Sequence, residues 1–182
     1  MNNKPLYWGI DPSLTSTGII GLDDNARIVH ASHIGFRGEQ NMGLIAQAKR
    51  ISQITSAVAN TIPSKTHVGI ETPAYGSQST SAWERGGLLY SLVMRLVSKD
   101  CHVYGIPPAN AKTWLAGHAQ AGKKSMMICA EQLSGHTFAT DDEADAYAIA
   151  RMTHEHVTGV STGRRGLNKC DWGIDTATHI EK

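Results

Sequence analysis

The chain opens with three short strand-like runs in immediate succession, and no other feature narrows its fold as far. Residues 7–11, 17–22 and 27–33 are rich in β-formers, and Asp23-Asp24-Asn25 marks a hairpin between the second and third. Beyond Gly43 the period changes. Leu44, Ala48, Ile51, Ile54, Val58 and Ile62 recur at spacings of three and four, which predicts an amphipathic helix over 43–62, ended by Pro63. A buried strand follows at 66–72, then a turn-rich loop, a helix at 83–98 and a fifth strand at 101–106. Pro108 opens a short helix at 108–115, and further helices are expected at 123–133 and 141–156. A meander followed by alternating helices and strands predicts an α/β domain. Its five-stranded sheet is mixed: an antiparallel meander extended by parallel strands through helical crossovers.

The length of 182 residues suits one domain with a substantial core, assigned here to residues 1–158, with a partly ordered tail over 159–182. No run approaches the roughly 18 apolar residues of a membrane span, and the N-terminus lacks the pattern of a signal peptide. Cys101, Cys129 and Cys170 are widely spaced and odd in number, so they read as reduced thiols of a cytoplasmic protein. Seventeen basic and sixteen acidic residues leave a net charge of +1, which by itself points away from nucleic acid. Placement matters more than the sum. With four acids gathered in one site, seventeen basic groups would face twelve acids elsewhere.

Such a gathering is suggested by the run Thr140 to Arg151, which sets four carboxylates into five positions and then turns apolar. Acids in a first helical turn oppose the positive end of the helix dipole, and Thr140 or Asp141 suits the N-cap. Yet Asp142 and Asp145, three apart, share a face that continues into Ile149. A carboxylate at that boundary is costly unless paired or bound to a cation. Asp11 ends the first strand and Glu71 the fourth, where sites gather in open α/β sheets. Either acid could also serve as a turn cap or a solvated strand end. Four carboxylates in one crevice require neutralisation, and their oxygens suit Mg²⁺ or Mn²⁺.

Three segments in this order carry a resemblance: "GIDPSLTSTG" at 9–18, "VGIETP" at 68–73 and "DDEADAYAIA" at 141–150. Together they resemble the RuvC-type Holliday-junction resolvases of the RNase H-like superfamily, over residues 6–155. The resemblance implies that Asp11, Glu71, Asp142 and Asp145 are catalytic carboxylates holding two Mg²⁺ ions, with Mn²⁺ as a substitute. It implies a water attack on DNA that leaves a 5′-phosphate and a 3′-hydroxyl. In "PPANAKTWLAGHAQAGKKSMM", Lys112 and Lys124 take the places of the family's phosphate-contacting lysines, with Lys123 adjacent. Without the resemblance, Lys123 and Lys124 would read equally well as a solvated helix start.

The departures are specific. The family's aromatic three positions after the strand-four Glu is replaced by Ala74, so Tyr75 is the candidate for DNA contact there. Glu143 leaves the metal register open by one residue. Arg164, Arg165 and Lys169 could extend a DNA surface or belong to a solvated tail. This divergence suggests a phage or mobile-element member, acting in a bacterial or host cytoplasm.

The expected activity is crossover-junction endonuclease: paired symmetric nicks in a four-way DNA junction by a homodimer. The helix at 83–98, apolar at Leu88, Leu89, Leu92, Val93, Met94, Leu96 and Val97, offers the interface. A broader nuclease for branched DNA or RNA–DNA hybrids is the nearest alternative. An actin-like ATPase or sugar kinase shares the opening motif but needs a second phosphate loop and a second domain. A non-catalytic junction-binding module gains nothing from four acids facing phosphate.

Overall fold

The computed structural model describes residues 6–36, 42–73, 82–168 and 170–173. In chain order the elements are β1 (Tyr7–Asp11), β2 (Thr17–Leu22), β3 (Ile28–Ile34), α1 (Leu44–Thr61), β4 (His67–Glu71), α2 (Ala82–Val97), β5 (His102–Ile106), α3 (Pro108–Ala116), α4 (Lys123–Ser134) and α5 (Asp141–Thr158). The strands form one five-stranded sheet in the order β3-β2-β1-β4-β5. The meander β1-β2-β3 is antiparallel, and β4 and β5 extend it in parallel. The expected mixed sheet is therefore present, with both parallel steps made through helices.

Side-chain alternation divides the core into two layers. Trp8, Ile10, Ile19, Val68 and Ile70 pack on one face with Ile54, Val58, Leu88, Leu92 and Leu96 of α1 and α2. Tyr7, Ile20, Leu22 and Ile106 pack on the other with Trp114, Met126, Tyr147 and Ile149 of α3, α4 and α5. A slip of one residue in any strand would exchange these faces. Each fully buried large side chain contributes about 1.5–3 kcal/mol, so the register is strongly specified.

Glycines set the seat of α5. Gly9, Gly18 and Gly69 lie on adjacent strands, where Gly9 pairs with Gly69 and Gly18 pairs with Asp11. A β-carbon on Gly9 would stand 2.1 Å from the Ala146 carbonyl oxygen, and one on Gly69 would stand 2.2 Å from Thr153 Oγ1. Helix and sheet approach this closely only because these side chains are missing. The small residues Ala144, Ala146, Ala148 and Ala150 complete the fit, and all are buried.

Beyond α5 the chain stays on the domain as far as Gly173. Arg164 donates to the carbonyls of Trp114 (3.1 Å) and Leu115 (2.8 Å) and lies over the Trp114 ring. Asp171 pairs with Gly105 in an antiparallel bridge, and Trp172 stacks on His156 at 4.0 Å between centroids. Buried Glu155 accepts from Trp114 Nε1 and from both the amide and hydroxyl of Thr162, which ties the turn after α5 to α3.

Candidate active site

Asp11 and Glu71 end neighbouring parallel strands, one residue past the Ile10–Ile70 pair. Their side chains thus leave the sheet at the same end. The loop after Asp11 is held by reciprocal bonds: the Ser13 amide donates to Thr17 Oγ1, and the Thr17 hydroxyl donates to the Ser13 carbonyl. Ser13 Oγ in turn accepts from the amides of Thr15 and Ser16. The Ser/Thr content of this segment is a local turn chemistry that fixes how Asp11 leaves β1.

The start of α5 is brought to the same place. Thr140 is its N-cap, accepting from the Glu143 amide at 3.2 Å. Gly18 lies directly beneath Asp142, and Asp145 follows one turn on. The electrostatics show the convergence. Burial pushes the Asp11 carboxyl up to about 8, helped by Asp145, Asp142 and Asp141 and opposed by Lys123. Burial likewise pushes Glu71 well above the carboxylate range; Asp11 and Asp145 add to this, Lys112 opposes it, and Asp142 adds further. Asp145 is raised to about 6, again chiefly by burial, with Lys112 and Lys123 opposing and Asp141 and Asp142 adding. Asp142 and Asp145 thus act on both Asp11 and Glu71, and Asp11 acts on Glu71.

The lysines divide by position. Lys112 on α3 acts on both Glu71 and Asp145 from the inner side. Lys123 pairs with Asp141 at the outer rim, its side chain 81% exposed. Lys124, the next residue of α4, is also exposed. Tyr75 and Lys169 lie outside the described residues.

Glu143 does not join the acid group. Its Oε1 bonds His33 Nδ1 at 2.8 Å, and its Oε2 accepts the Ala139 amide at 2.9 Å. With its own amide on Thr140, this is the reciprocal arrangement of a capping box, shifted outward by one residue. Glu143 thus turns inward to the fold, while Asp142 and Asp145 act on Asp11 and Glu71. His33 had no signal in the sequence, because its partner is far along the chain and on another element.

Among the described residues, no group of three or more His, Cys, Asp or Glu side chains stands close enough together to hold a metal ion as placed. The donor set itself fits a hard divalent cation. It is made of carboxylate oxygens alone, and Asp145 Oδ1 is buried with no protein hydrogen-bond partner.

No protein-family model matches the chain, and no curated protein matches it significantly. Solved structures do match. The Thermus thermophilus RuvC structure superposes with a TM-score of 0.64 at 21% identity, covering 87% of this chain and 97% of that one. The chain has the RuvC fold. Thermus thermophilus RuvC in complex with a Holliday junction substrate superposes with a TM-score of 0.65 at 19% identity, covering 87% and 96%. The five-stranded mixed sheet flanked by helices that the sequence predicts is thereby met.

Proposed function

We propose that the chain is a divalent-metal-dependent endonuclease for branched DNA, with the four-way junction as its substrate. The observation that carries this reading is the convergence of Asp11, Glu71, Asp142 and Asp145 at one sheet end, beside Lys112, on a RuvC fold. The solved neighbour bound to a Holliday junction supports the choice of substrate.

Asp11, Glu71, Asp142 and Asp145 would hold the metal, as Mg²⁺ or Mn²⁺. When bound, divalent cations neutralise the carboxylates and make water a competent nucleophile toward phosphodiesters. Lys112 and Lys124 would hold a phosphate oxygen and offset charge in the transition state, with Lys124 as a catalytic residue. Lys123 and Lys124 line the exposed approach and supply sequence-independent attraction to the DNA backbone.

Paired cutting of a junction needs two sites in matching orientation, which a C₂ dimer provides. Helix α2 supports that assembly. Leu88, Leu92 and Leu96 face the core, whereas Trp83, Tyr90, Met94 and Val97 are 56–90% exposed along a second stripe. Beside it runs a groove between α1 and α2, of about 540 Å³, lined by Ile51, Gly87 and Met94 together with Ser52, Ser91 and Arg95. An apolar stripe of this size on a soluble surface marks a contact.

The test is cleavage of end-labelled four-way junction, fork and linear duplex in Mg²⁺, beside Asp145→Asn. Symmetric paired nicks in the junction, lost in the variant, are expected. Equal cutting of fork and junction would replace the resolvase reading with a broader branched-DNA nuclease. Junction binding without cutting in either metal would overturn the nuclease reading.

A further inference from the structure

We propose that His33 is a positioning residue for cleavage, acting through Glu143 to hold Asp142 and Asp145 over the sheet. The role rests on the nuclease reading above. Helix α5 begins with Asp141, Asp142 and Glu143 in succession, and Asp142 borders a crevice that already holds Asp11. Two tethers flank Asp142. On the outer side Lys123 pairs with Asp141 in water, where such a pair is weak. On the other side His33, its side chain 43% exposed, bonds Glu143, whose side chain is 6% exposed.

The His33 bond ends on a buried carboxylate, whereas both partners of the Lys123 pair reach water. His33 Nδ1 and Glu143 Oε1 lie 2.8 Å apart, and the tautomer with the proton on Nδ1 donates to the carboxylate. Glu143 Oε2 is already taken by the Ala139 amide. Loss of the imidazole leaves one buried oxygen unpaired, beside the cap that starts the helix. The geometry connects this bond to the reacting groups by one rung of the sheet. His33 pairs with Gly18 across β2 and β3, and Gly18 is the residue on which the Asp142 backbone rests. A shift of the cap therefore moves Asp142 and Asp145 together. Displacements on the order of 1 Å can cost 100-fold in rate.

The experiment compares wild type, His33→Ala and His33→Asn, whose amide nitrogen can take the place of Nδ1. Amide hydrogen exchange of the metal-free protein reads the tether directly. Junction binding in EDTA and steady-state cleavage in Mg²⁺ read its consequence. His33→Ala should speed exchange over residues 139–146 by about tenfold and lower kcat by about tenfold or more, with KM and junction affinity within about twofold. His33→Asn should restore kcat to within about threefold of wild type. Unchanged kcat in His33→Ala, or equal loss in both variants, overturns the positioning role. Wild-type protein that cuts no branched DNA overturns the nuclease reading and the catalytic sense of the role with it. The exchange data separate these failures, since the tether is then either seen or absent without reference to cutting.

Discussion

Gly18 and Asp142 touch backbone to backbone: a β-carbon on Gly18 would stand 2.0 Å from the Asp142 carbonyl oxygen. The neighbour that yields cannot be a flexible side chain, because the close atoms belong to the main chain of α5. Gly18→Ala should therefore lift the helix start from the sheet. A loss of about 1–3 kcal/mol or more is expected in chemical denaturation, with cleavage reduced further than stability alone explains. Gly86→Ala is the control. Its β-carbon meets nothing within 4 Å, and it should stabilise α2 by up to about 1 kcal/mol. Equal tolerance of both changes would show that α5 is not seated this tightly.

The buried acids give the metal-free protein an inverted pH response. Asp11 and Asp145, at about 8 and about 6, both bind protons more tightly in the folded chain than in the unfolded one. Their contribution is complete below the ordinary carboxyl value of 3.8 and is lost as pH rises through about 6 and then about 8. His67 acts oppositely. Its pKa is lowered from 6.5 by burial and by His102 and His156, so it costs stability only as pH falls below 6.5. Between pH 6.5 and about 8 the acids act alone, and the denaturant midpoint in EDTA should fall. Asp11→Asn or added Mg²⁺ should flatten the slope. A flat or rising midpoint in the wild type would refute the coupling.

Asp141 pairs with Lys123, so under the proposed function it should compete with DNA for that cation. The pair is solvent-exposed, so Asp141→Asn should change stability by less than about 1 kcal/mol. It should raise junction affinity a few-fold at low salt, with the gain fading as salt rises. Lys123→Ala should move affinity the other way. Fluorescence anisotropy in EDTA across a salt series measures both.

The exposed stripe of α2 should carry the dimer. Tyr90 and Met94 are 68% and 65% exposed, and a charge at either position leaves the core layer of Leu88, Leu92 and Leu96 intact. Met94→Asp should shift sedimentation from dimer to monomer at micromolar concentration without lowering the melting temperature of the monomer. Paired cutting should give way to single nicks. A wild-type protein that sediments as monomer even with junction present would remove this interface.

The elements of the fold were legible because each rests on local rules. Strand alternation, the three-and-four spacing of α1, and the stops at Pro63 and Pro107 all act within a few residues. The pairing of Asp142 with Asp145 on one helix face is local in the same sense. The two-sided nature of α2 was only half visible: seven apolar positions show that it has more than one contact face, but not that Leu88, Leu92 and Leu96 take the core while Met94 and Val97 stay outside.

Other relationships depend on which strands adjoin. Asp11 and Glu71 share a crevice because β1 and β4 are parallel neighbours, a fact of long-range topology. Glu143 stands beside Asp142 in the chain, yet its carboxylate belongs to His33 and Ala139 because α5 lands on the Gly9, Gly18 and Gly69 seam at one rotation only. The residue types and their local spacing thus specified the elements and supplied the four acids. Close packing of α5 on glycine backbone, which no local pattern encodes, set the Asp142 backbone over Gly18 and the Glu143 carboxylate against His33 and Ala139.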